Sequence, residues 1–347
     1  MQLNEKSSNA LNYLKCILCI GVVFIHARYY PDLSVLGIES LEDYYFYNTL
    51  DIYFNARFLN CTCVPLFFII SGYLFFLNIP AKFEFRVFKL KWKSRIRSLL
   101  IPYLICNSVI LLLTITSQII HDEQIKTIDI FTAFWSYNGG YPIMMPSWYL
   151  RDLMVVCLCS PLIWALLKYT KYLLLVILCF FWFIEVWIEL PGFGIRSFLF
   201  FSIGSFIGMR REDLIEMVNP PKLWPLWCLF FGGIYCMYIY SDYEWLHKFS
   251  ILLSFPLWIC FGFLISYIID AKCKNTIVTG SFFVFLYHFS IAHRVPVYLT
   301  VILGVSESSV ILSYILGALL TSAILLSFFH LGRLFMPKVF KLVVGGR

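Results

Sequence analysis

The sequence predicts an all-α polytopic membrane protein of about ten transmembrane helices, with both termini cytoplasmic. Three observations carry that reading. The 347-residue chain is 61% hydrophobic and only 14% charged, where soluble chains run about 45–50% apolar and about 25% charged. The apolar residues gather into long stretches, giving a mean hydropathy of +0.81. The basic residues fall in alternate connections between those stretches, which is a topology signal. Phe (35) and Tyr (22) are abundant, as expected of lipid-facing surfaces and interfacial belts.

Hydropathy sets the spans at about 11–29, 59–78, 98–119, 147–167, 172–190, 195–209, 223–240, 250–270, 279–301 and 309–332. The connection 79–97 holds Lys82, Arg86, Lys89, Lys91, Lys93, Arg95 and Arg97 against one acid, Glu84, and so belongs on the cytoplasmic side. Lys168 and Lys171, then Arg210, Arg211 and Lys222, then Lys272 and Lys274 share that side, as does the tail with Arg333, Lys338, Lys341 and Arg347. The alternate loops are acidic: Asp32, Glu39, Glu42, Asp43 and Asp51 in the first, Asp122, Glu123 and Asp129 in the third. Ten spans satisfy every loop. The outer loops also carry Tyr29, Tyr30, Tyr44, Tyr45 and Tyr47, then Trp135, Tyr137 and Tyr141. These rings suit either stacking on sugars or an interfacial belt.

No soluble insert is long enough for a second domain, so 1–347 reads as one transmembrane domain in the cell (inner) membrane. The first helix lacks a small-residue cleavage site and reads as retained. The net charge of +7 reflects loop orientation and is not a nucleic-acid signal. The twelve cysteines include Cys16/Cys19, Cys61/Cys63 and Cys157/Cys159. None has the second half of a zinc site, so they read as small core residues, with no metal expected.

The first span carries two residues foreign to lipid, Lys15 and His26. Eleven positions at about 100° each is three turns plus roughly 20°, so both lie on one stripe, about 16 Å apart along the axis. That puts a cation near the cytoplasm and an imidazole near the outer face. Ionisable groups inside spans mark function by default. Histidine suits a general base at neutral pH, though it also caps carbonyls. Arg151 and Asp152 lie about 6–8 Å below the outer surface. As sequence neighbours they point about 100° apart and need partners from other helices, whether as catalytic groups or as an interhelical ion pair. Glu185, Arg196, His293 and Arg294 fall at similar depth. Asp152 and Glu185 are the two carboxylates able to orient His26 in the manner of a triad acid. On the cytoplasmic side, arginines 95 and 97 fit either phosphate binding or positive-inside anchoring on anionic lipid.

Five motifs then resemble one family, the integral membrane acyltransferase family 3. Lys15 followed by His26 resembles its basic residue and histidine separated by ten positions, with Lys where Arg is common. CVPLFFIISGYLFF (63–76) is similar to its second helix, with Ser71 and Gly72. RIRSLLIPY (95–103) resembles its arginine-rich start of the third helix. SWYLRDLMVV (147–156) resembles its Trp-aromatic-Leu helix, with Trp148. GSFFVFLYHFSI (280–291) is similar to its late segment ending in His288, with Phe285 where Tyr is usual. The set spans nearly the whole chain. It implies a ten-helix enzyme with no bound cofactor, taking an acyl group, most commonly acetyl, from cytoplasmic acyl-CoA to a hydroxyl of an extracytoplasmic glycan or glycolipid. The resemblance makes His26 the catalytic residue; Asp152 is taken as its partner, with Glu185 still open as the carboxylate that orients it. Lys15, Ser71, Arg95, Arg97, Trp148, Arg151 and His288 are the substrate-binding set, with Arg151, His288 and Trp148 as oxyanion donors. No esterase-like domain follows, so transfer is expected to finish in the membrane domain. Direct transfer and an acyl-His26 relay both remain open, as does oligomeric state. The competing class is a transporter of a small organic acid or sugar precursor, against which the sequence offers no inverted repeat and no matched pair of broken helices.

Overall fold

Asn4 starts the first helix: its side-chain oxygen accepts the Ser7 N–H at 2.7 Å, and Glu5 follows in the first turn, where a negative charge favours the helix dipole. In the computed structural model that helix, α1, runs Glu5–His26. The structure describes residues 3–29, 33–37, 41, 43–121, 129–137, 139–188, 190–269 and 271–346, with backbone only at 33–34 and 271–276. Tyr30, Asp32, Glu39, Glu42, Asp122, Glu123 and Arg347 lie outside the described residues, as do the side chains of Lys272 and Lys274.

After α1 come α2 (Tyr45–Phe76), α3 (Phe85–Ile120), α4 (Met145–Leu158), α5 (Ser160–Thr170), α6 (Leu173–Ile184) and α7 (Ile195–Arg210). They are followed by α8 (Pro220–Ser241), α9 (Glu244–Ile268), α10 (Ala271–Tyr287), α11 (Phe289–Leu303) and α12 (Glu307–Phe335). The protein is all-α and multi-pass, with no β-strand among the described residues.

Not all ten expected spans appear as full-length crossings among the described residues. Among the described residues, six helices are long and apolar enough to cross a bilayer: α1, α2, α3, α8, α9 and α12. The count reaches eight if the bent pairs α4/α5 (59°) and α10/α11 (69°) each cross once. The other two expected spans are helical but short. α6 has 12 residues and α7 has 16, about 18 and 24 Å against a hydrocarbon core of about 30 Å. α6 stops because Glu185 takes a left-handed backbone (φ 57°), although apolar residues continue to Leu190. Two expected loops are helical instead. The basic residues of 85–97 lie on α3, continuous with its apolar part. The Tyr45–Asp51 stretch begins α2, which widens to a π-helical turn over Leu50–Leu59.

The two bends are a further departure, since the sequence reading foresees no broken helices. Pro161 lacks an N–H, so Cys157 O has no intrahelical donor four residues on. Trp92 Nε1 on α3 takes it at 2.8 Å. At the second break a side chain enters the backbone ladder, as described below.

The chain divides into two compact units. The first comprises Met1–Ile70 with Arg210–His330, the second Ser71–Met209 with Leu331–Arg347. In the first, α1 packs against α9 and α10. Gly262 permits the α1–α9 approach, because a Cβ there would lie 2.7 Å from Leu14 Cβ and 3.1 Å from Ala10 O. Phe58 stacks on Trp258 at 5.6 Å, and Trp258 Nε1 donates to Thr62 Oγ1 at 3.1 Å. Pro296 of α11 closes on Gly317 of α12. In the second unit, Gly72 lies against Phe201 O and Gly208 against Tyr73 O, seating the last turns of α2 on α7.

Candidate active site

In the first unit, the end of α1 is tied down by the residues that follow it. Ala27 is buried, Arg28 pairs with Asp51, and Tyr29 donates to Val310 O at 2.7 Å with Thr300 Oγ1 at 2.9 Å. These ties hold His26, the last residue of α1, in a half-buried position. Its ring lies 5.2 Å from the His288 ring, tilted 40°, and 5.1 Å edge-on from Phe289. Among the described residues His26 makes no hydrogen bond, so no carboxylate orients it here.

His288 is 0% exposed and sits at the break between α10 and α11. Its Nδ1 lies 2.9 Å from Phe285 O and 3.2 Å from Val284 O, while Nε2 is buried with no partner among the described residues. Phe285, standing where the family motif usually has Tyr, is 6.3 Å from the His288 ring. Lys15 is half-buried on the His26 stripe, His293 is half-buried, and Arg294 is exposed. The sequence thus located His26 and His288, and the fold brings them together. It read Tyr29 only as one of the outer-loop rings, for sugar stacking or an interfacial belt; the signal for its anchoring role was only its place three residues after His26.

In the second unit, Arg151 and Asp152, each 4% exposed, do not wait for partners on other helices. Arg151 Nε and Nη2 both donate to Asp152 Oδ1, at 3.0 and 2.9 Å. Nη1 donates to Trp135 O at 2.5 Å and Gly140 O at 2.7 Å, and the guanidinium lies 5.6 Å from the Trp135 ring centre. The long arginine side chain turns back across the 100° that separates the two Cβ directions, so the pair is intrahelical and clamps the preceding loop. Asn107, buried on α3, supports the same loop: its Nδ2 donates to Ser147 Oγ at 3.0 Å and its Oδ1 accepts the Met144 N–H at 3.1 Å. Nothing in the sequence marked Asn107 beyond its being polar in an apolar helix.

Ser71 Oγ lies 3.1 Å from Tyr149 Oη, and Trp148 is half-buried at the start of the α4 helical turn. Arg95 does not gather with Arg97. Two positions apart on a helix point to opposite sides, and Arg95 instead joins Lys91, one turn earlier, over the buried Phe75 ring, at 5.6 and 5.2 Å from its centre. Among the described residues no carboxylate pairs with either cation. Arg97 is exposed, beside Gly346. Glu185 and Arg196 are exposed.

This arrangement offers two kinds of chemistry. The first unit has paired imidazoles, suited to moving a proton; the second has an unpaired two-cation cluster, suited to an anion. No solved structure matches the chain. Over 222 residues it is 28% identical to the succinoglycan biosynthesis protein ExoH of Rhizobium meliloti (strain 1021), a match covering 60% of this chain and 55% of ExoH. The chain thus spans about half the length of that curated relative. The family model described as an acyltransferase domain, of the acyltransferase 3 group, matches residues 8–330, from the first turn of α1 to the last turns of α12. Matched over nearly its whole length, this chain belongs to the acyltransferase 3 family.

Proposed function

We propose that this protein is a membrane O-acyltransferase that moves an acyl group, acetyl in the first instance, from cytoplasmic acyl-CoA to a hydroxyl of an extracytoplasmic glycan or glycolipid. The observation that carries the proposal is the half-buried imidazole of His26 beside a second, fully buried imidazole, in a chain of this family. A glycan acceptor draws on the relative named for succinoglycan biosynthesis.

In this account His26 takes the proton of the acceptor hydroxyl as its oxygen attacks the thioester carbonyl. The tetrahedral oxyanion collapses, the C–S bond breaks, and His26 returns the proton to the departing thiolate. The ester and free CoA thiol are the products. Arg95 and Lys91 hold donor phosphates, and Arg97 lends charge at the rim. Lys15 lines the path of the thioester arm. On the second unit, Arg151, held by Asp152, together with Trp148 and Ser71, serves substrate binding. His288, whose Nδ1 faces the Phe285 and Val284 carbonyls, is better placed to act on His26 than on the oxyanion. Both termini face the cytoplasm of the cell (inner) membrane, and the whole chain acts as one transmembrane domain.

Donor binding tests the reading. Acetyl-CoA should raise the melting temperature of the detergent-purified protein, by up to about 2.7 kcal/mol of stabilisation at 100 times Kd. Lys91→Ala with Arg95→Ala should weaken that shift more than Arg97→Ala. An unchanged melting curve at millimolar acetyl-CoA counts against the donor assignment. The two bent helices also favour a second reading, since transporters build midplane sites from broken helices. Solute accumulation in vesicles, with no response to acetyl-CoA, is its signature.

A further inference from the structure

His288 stands where the helix breaks, and its own side chain occupies the gap. Nδ1 faces Phe285 O at 2.9 Å and Val284 O at 3.2 Å. Carbonyl oxygens only accept, so Nδ1 carries the hydrogen and donates it. In the neutral ring, Nε2 is then a bare lone pair. It is buried, and nothing among the described residues donates to it. A buried acceptor left unpaired is costly, so its position calls for a donor.

The nearest ring is His26, with centroids 5.2 Å apart and planes 40° from each other. An N–H···N bond of about 2.9 Å, plus about 1.1 Å from each nitrogen to its ring centre, sets hydrogen-bonded imidazoles about 5.1 Å apart. The centroid spacing is that of such a bond. Forming it requires a turn of the His26 ring that directs one N–H at Nε2. Phe289, edge-on at 5.1 Å and 89°, limits the rotations open to His26.

We propose that His288 is the positioning residue for His26: its Nε2 accepts a hydrogen bond from one His26 N–H, which leaves the other His26 nitrogen bare and aimed at the acceptor hydroxyl. The proposal rests on the acyl-transfer reading above. It assigns to an imidazole the part that a carboxylate plays in a Ser-His-Asp triad. In the transfer step the hydroxyl proton moves to the bare His26 nitrogen as the C–O bond forms. It then moves to the thiolate sulfur as the C–S bond breaks. His288 keeps its own hydrogen throughout and stabilises the transient His26 imidazolium by accepting from it.

Two variants separate this role from packing. His288→Gln can place an amide oxygen near the Nε2 position. His288→Asn keeps a polar group near Nδ1 for the carbonyls but falls short of Nε2. With acetyl-CoA as donor and octyl β-D-glucopyranoside as hydroxyl probe, His288→Asn should lose at least about 10-fold in kcat, the lower end of what removing the group that orients a histidine costs at metal sites and in triads. Its acceptor KM should stay unchanged, and His288→Gln should recover to within a few-fold of wild type. Both variants folding normally with wild-type kcat, or both failing equally and through KM, overturns the proposal. His26→Gln runs alongside: if it keeps wild-type turnover, the acyl-transfer reading falls on its own account. Should either His288 variant fail to fold, wild-type protein labelled with 15N in its imidazoles decides. A hydrogen-bearing Nδ1 and a bare Nε2 at residue 288 are expected, and the opposite tautomer refutes the assignment.

Discussion

At the residue scale, Arg151 shows what side-chain reach does to a geometric argument. Adjacent helical positions diverge by about 100°, and from that the sequence calls for partners elsewhere. A guanidinium on a flexible stem bends back onto its neighbour's carboxylate and still reaches two loop carbonyls. With both residues 4% exposed, removing one partner strands a buried charge, which costs about 3–5 kcal/mol. Arg151→Ala should therefore lower the melting point sharply. Arg151→Lys should fall between Arg151→Ala and wild type, since an ammonium cannot span the carboxylate and both carbonyls. Arg151→Met combined with Asp152→Leu should be more stable than Arg151→Ala alone. Thermal unfolding in detergent checks the ranking, and a double variant worse than the single one contradicts it. His26 was visible in the sequence as an ionisable group in an apolar segment, and His288 through the family motif that ends on it. Their pairing was not, because it depends on how α1 meets the α10/α11 break.

At the scale of elements, hydropathy found every long helix but misjudged where several stop and bend. It counts apolarity and is blind to the left-handed turn at Glu185, to the missing Pro161 N–H, and to the His288 side chain that folds onto the Phe285 carbonyl. It also treats charged runs as loops, whereas Lys89, Lys91, Lys93 and Arg95 ride on α3. Close helix contacts are legible only as scattered glycines, and the structure says which of them matter. Gly262 faces the α1 backbone, so Gly262→Ala overpacks the α1–α9 contact and should cost about 1–3 kcal/mol. Gly233 on α8 has open space around it, so Gly233→Ala should gain about 0.5–1 kcal/mol from helix propensity. Apparent melting temperatures that shift in the same direction for both variants would contradict this division.

At the scale of the whole molecule, composition with the long apolar stretches and the placement of basic residues anticipated an all-helical membrane protein, and the motif set from Lys15 to His288 anticipated the family that residues 8–330 match. What composition could not supply was the number of crossings. Short helices such as α6 and α7, and paired helices bent by 59° and 69°, can contribute to a span without being one. The functional account rests on one group, the imidazole that ends α1. Its most direct test is transfer of radiolabelled acetyl from acetyl-CoA to cell-envelope glycan by membranes carrying equal amounts of wild-type and His26→Gln protein. The account predicts transfer by the wild type and a loss of at least about 100-fold in the variant. Equal transfer by the two would contradict it.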